Sequence, residues 1–138
     1  MTARRNPSAR RLLGERGAVA VEFALVVPVL LVFLFSIVSV SRAFQVQATL
    51  SGAAREAART MAIQNSQSAA KSAAVFAAST SDISLSAGNV SISPSSCTGA
   101  APNANILVTI TYRFQPAGDF AGGVAFPITS KAVLRCGG

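Results

Sequence analysis

From Phe23 to Ser41 the chain reads FALVVPVLLVFLFSIVSVS, 19 residues without a charge. That is close to the roughly 20 apolar residues a helix needs to cross a hydrocarbon core about 30 Å thick. Ahead of the run lie Arg4, Arg5, Arg10, Arg11 and Arg16 with only Glu15 against them, and a single Arg42 follows it. The excess of arginine before the run sets the expected orientation: N-terminus cytoplasmic, the remainder exported. Pro28 stands inside the run, where its missing N–H forfeits the bond to the Ala24 carbonyl, and a bend is expected there. The whole chain carries a net charge of +7, of which the first 17 residues hold +4 and the remainder +3. No aromatic interleaves the arginines, so the basic stretch is read as a topology signal with no nucleic-acid partner.

Glu22 is the anomaly of this segment. A carboxylate within a membrane helix costs up to about 3 kcal/mol at the bilayer centre and by default implies a partner; nearer the interface it can snorkel outward. Cleavage after Gly17 would put a new N-terminal ammonium on Ala18, four positions before Glu22. Residues four apart share a helix face, so amine and carboxylate would mark one end of an apolar rod with opposite charges. In a bundle of such rods, the amine of one can meet the glutamate of the next and set their register. A secretory signal cut before Arg42, after Ser39-Val40-Ser41, is the competing processing route, but Glu22, Pro28 and the length of the run argue against it.

The stretch GERGAVAVEFALVVPVLL, with four residues between Gly17 and the Glu22-Phe23 pair, resembles the prepilin processing motif of the Tad/Flp (type IVc) pilus systems. With AFQVQATLSGAAREAARTMA, the serine- and alanine-rich helix after it and a short strand-rich tail, the chain resembles the TadE-like minor pilins or pseudopilins from Glu15 onward. The resemblance implies cleavage after Gly17 by a prepilin peptidase, with Ala18 as the new terminus, Glu22 as the assembly glutamate and Phe23 as its aromatic neighbour. It further implies other Tad/Flp pilus subunits, assembly-platform proteins and the lipid bilayer as partners, and a role in pilus biogenesis and adhesion. Ala18 departs from the phenylalanine of type IV prepilins in general.

Beyond Arg42 the helical periodicity continues. Val46, Leu50, Ala53, Ala54, Ala57 and Met61 fall in one sector of about 100°, with Arg55 and Arg59 opposite. The alanine-lined face suits packing on the chain's own head or on neighbouring subunits, since small side chains permit close approach. Ser66 is placed to N-cap a second helix through SAAKSAAVFAAS. Ile83 to Leu85 and Val90 to Ile92 are short strand candidates split by the turn signal Ala87-Gly88-Asn89, as a hairpin or one bent strand; the clearest strand is Ile106 to Phe114, and the loop QPAGDFAGG leads to a last one near Ile128 to Arg135. Tyr112 and Phe114 are read as core. Cys97 and Cys136 fall in the exported part, where an oxidising compartment favours their pairing; a free thiol or an intermolecular bond are the alternatives.

The expected fold is α+β: a long N-terminal transmembrane helix continuing into a small exported head with a short helix and a small antiparallel sheet. Its parts are a basic leader at 1–17, the transmembrane and amphipathic helix at 18–62, and the head at 63–138. The expected location is the inner, cytoplasmic membrane in a single pass, with incorporation into a surface pilus. An enzyme is not expected, because the chain has no histidine and no Ser-Lys or paired-carboxylate arrangement. No cofactor or metal is expected either, since Asp82 and Asp119 lack clustered oxygen ligands and two cysteines cannot complete a cage. The alternative function is a monomeric, single-pass, membrane-anchored extracellular binding module.

Overall fold

The structure, a computed structural model, describes residues 8–81, 83–101, 103–116 and 124–137, with side chains described from Gly17 onward. The side chains of the arginine leader, Asp82, Asp119 and most of the Gly/Pro-rich loop lie outside the described residues. One long helix, α1 (Ser8–Gln64), is followed by α2 (Gln67–Ser79) and the strands β1 (Val90–Ser93), β2 (Asn105–Phe114) and β3 (Phe126–Arg135). This is the expected α+β composition. The chain divides into two compact units, 1–39 and 40–138.

Over its described residues the first unit is α1 alone, and the helix continues through Pro28. Its large side chains are bare: Phe23, Leu25, Phe33 and Ile37 are each about two-thirds exposed or more. None of them joins the hydrophobic core.

In the second unit, one face of the sheet carries the core. The strands form an antiparallel meander with β2 in the middle. Period-two alternation points Val90, Ile92, Ile106, Val108, Ile110, Phe114, Ile128 and Ala132 inward, and all are buried. Tyr112, on the same face, is half-buried against that core. Facing them, α1 buries Leu50, Ala53, Ala54, Ala57, Ala58, Met61 and Ala62, while α2 buries the straight i, i+4, i+8 stripe Ala70, Ala74 and Ala78. The alanine face thus serves the chain's own core. Among the described residues, the single buried polar one is Ser130, whose hydroxyl lies 2.9 Å from Ser51 Oγ on α1. Ser51 spends its only proton on the Gln47 carbonyl, so Ser130 is the donor between the two hydroxyls.

Asn65 ends α1 in the left-handed region at φ 47°, which asparagine tolerates better than most residues, and its N–H donates to the Met61 carbonyl. Ser66 then caps α2 as expected, its hydroxyl accepting from the Ala69 N–H. One expected strand is absent: Ile83 to Leu85 is not in the sheet. The Ile83 N–H donates to Ala78 O and the Leu85 N–H to Ile83 O, so local bonds replace a ladder. Both side chains are nevertheless buried, which explains the strand-like pattern. The segment Ala87–Asn89 is a 3₁₀ turn closed by Asn89 Oδ1, which accepts from the Ser86 N–H and hydroxyl.

Cys97 and Cys136 are bonded to each other, with Cα atoms 5.6 Å apart. The bridge joins the loop before β2 to the end of β3. Asn65 holds the same loop: its Oδ1 accepts from the Cys97 N–H at 2.6 Å and its Nδ2 donates to Thr98 Oγ1 at 2.6 Å. The residue that stops the helix therefore also anchors the disulfide loop.

Candidate functional site

Gly17, Ala18, Glu22 and Phe23 all lie exposed on α1. Helical spacing places Ala18 and Glu22 on one face with their Cβ atoms about 5–6 Å apart. A Cβ added at Gly17 would meet nothing within 4 Å. The fold of this unit therefore does not require glycine at position 17. Within a helix, glycine is less favourable than alanine by about 1 kcal/mol, so helix formation does not account for it either. No hydrogen bond or ion pair to the Glu22 carboxylate is found among the described residues.

The segment Gly17–Gln64 is long and apolar enough to cross a membrane; its most apolar 18-residue window has a mean hydropathy of 2.9 and none of it is buried. A core helix of a water-soluble domain would hide such a window. Two hydroxyls inside the run are also satisfied without water: Ser36 Oγ donates to Val32 O at 2.7 Å and Ser39 Oγ to Phe35 O at 2.8 Å. Bonding back to the i−4 carbonyl is how a serine loses its need for solvent in a hydrocarbon layer.

The family model of TadE-like proteins matches residues 17–59. This segment is TadE-like. The match spans 43 of the 138 residues, all of them on α1. Among curated proteins and solved structures, nothing matches the chain. The TadE-like segment begins at Gly17 and includes Ala18, Glu22 and Phe23; it also extends into the core-forming part of α1 as far as Arg59. Residues 60–138, with α2, the sheet and both cysteines, lie beyond it. Asn65 and Ser130 were not singled out as bonding partners by the sequence. Their partners lie 32 and 79 positions away, so no local pattern marks them.

Proposed function

We propose that the protein is a structural minor pilin or pseudopilin of a Tad-type pilus, made to be cut and assembled rather than to catalyse. A prepilin peptidase on the cytoplasmic face cuts after Gly17. The mature chain of 121 residues then stays in the membrane with its head outside until its apolar helix joins other pilus subunits. The observation that best supports this reading is the exposed apolar part of α1 from Gly17 onward, where the TadE-like match starts and where the fold makes no demand for glycine. In this reading the glycine is there for a protease pocket, and the bare apolar side chains wait for lipid and then for neighbouring helices.

Mass spectrometry of the mature N-terminus tests the cut. The expected chain starts at Ala18, and Gly17→Leu is expected to leave at least ten times more uncut precursor. A start at Arg42 would show a secretory signal and sink the proposal, and an intact leader on the wild type would favour the anchored binding module. For Glu22→Ala, cleavage and export are expected to stay at wild-type levels while incorporation into pili falls at least tenfold. The physical reason is that the Ala18 ammonium of a neighbouring subunit then enters a dry bundle without its counter-charge. Unchanged pilus yield with E22A would remove the carboxylate from assembly.

A further inference from the structure

The face of the sheet turned away from the helices is polar along the second half of β2. Val108, Ile110 and Phe114 point into the core, so alternation turns Thr109, Thr111 and Arg113 outward, over about 14 Å of strand. Ser91 on β1 stands directly opposite Thr109. β1 begins only at Val90, opposite Ile110, so Thr111 and Arg113 have no β1 residue beside them. The 3₁₀ turn and the segment before it stand there instead and leave a cleft of about 440 Å³, within the roughly 300–1,000 Å³ of small-ligand sites. Ser84 and Asn89 line it on one side and Ser91, Thr109, Thr111 and Arg113 on the other, and none of its lining residues is an acid.

The fold leaves these groups unspent. Among the described residues, the hydroxyls of Ser84, Ser91, Thr109 and Thr111 and the Arg113 guanidinium make no side-chain bond within the chain. Asn89 gives its Oδ1 to the Ser86 N–H and hydroxyl, which leaves its Nδ2 to donate into the cleft. An apolar ligand would bury these groups without partners, at a cost. A point anion such as phosphate would meet the guanidinium and leave the far end, at Thr109 and Ser91, unmet. We propose that the cleft binds a short saccharide carrying one carboxylate. The guanidinium fork takes the two carboxylate oxygens as a pair. The hydroxyls and the amide, donors and acceptors at once, suit the hydroxyls of the neutral sugars that follow. The proposal rests on the second unit alone, so it holds for a pilus subunit and for an anchored binding module alike.

The test titrates the full chain, held in a polyoxyethylene detergent that offers no sugar of its own, and follows binding by saturation-transfer nuclear magnetic resonance. The probes are sialyllactose, a trisaccharide with one carboxylate at its end, and the neutral trisaccharide fucosyllactose. The wild type is expected to bind sialyllactose about tenfold more tightly than fucosyllactose, the effect of one charge-assisted fork. Arg113→Gln is expected to abolish that preference. Thr109→Val with Thr111→Val, which keeps shape and strand propensity, is expected to weaken both saccharides about fivefold while the preference stays. Arg59→Gln, an exposed cation on α1 outside the cleft, is expected to change nothing, with all variants melting like the wild type. Equal losses in R113Q and R59Q would show diffuse charge attraction and overturn the proposal. Equal binding of the two saccharides, no saturation by either at tens of millimolar, or inorganic phosphate bound as tightly as sialyllactose would each overturn it as well. Asp82 and Asp119, outside the described residues, lie near the lining in sequence. Binding that emerges only in D82N/D119N would mean that Arg113 is neutralised within the chain, and would overturn it too.

Discussion

Replacing Cys97 and Cys136 together with serine is expected to lower the stability of the second unit by about 4 kcal/mol, the chain-entropy value for a loop of about 40 residues. The bridge encloses β2, the loop after it and β3. Among the described residues β3 pairs only with β2, at the edge of the sheet, so its alignment depends on a long closure. The closing entropy is supplied by the disulfide in the oxidised chain and must come from packing in the reduced one. The alanines on the helices leave little apolar area to compensate. Urea unfolding of the full chain in detergent, followed by far-ultraviolet circular dichroism, gives the comparison, and wild type with reductant should match the double variant. A loss below about 1 kcal/mol would show that the packed layers hold the head without the bridge.

Leu50→Ala is expected to cost about 3–5 kcal/mol in the same measurement, the range for deleting a fully buried leucine where neighbours cannot collapse into the gap. Leu50 is fully buried and is the largest aliphatic side chain that α1 contributes to the core. Around it on α1 the core residues are mostly alanines, which have no side-chain freedom with which to refill a cavity. Ile63→Ala, on the same helix but 66% exposed, is expected to change stability by less than about 0.5 kcal/mol. Similar effects for the two would mean that a different face of the helix meets the sheet.

The long helix was legible because its signals are local and repeated. The uncharged run, the arginine leader and the sector of Leu50, Ala53, Ala54, Ala57 and Met61 each appear in one stretch of chain. The Ser66 cap and the alternation of β2 were legible for the same reason. Ile83 to Leu85 misled because burial at alternate positions is shared by strands and by any extended segment lying on a core. What separates the two is hydrogen bonding to another strand, which a short stretch of sequence does not show. Ala58 and Ala62 were missed as core because the buried face of α1 is wider than the expected sector.

By itself the sequence determined the apolar span, the placement of Gly17 and Glu22 on it, and the α+β order of elements, since each follows from spacing along one segment. The tertiary structure decided which face of the sheet meets the alanines and which cysteine partner was taken. It also brought Asn65 to the Cys97 loop and set Ser130 against Ser51. These are meetings between residues dozens of positions apart, and they exist only after chain entropy has been overcome and the helices have closed over the sheet.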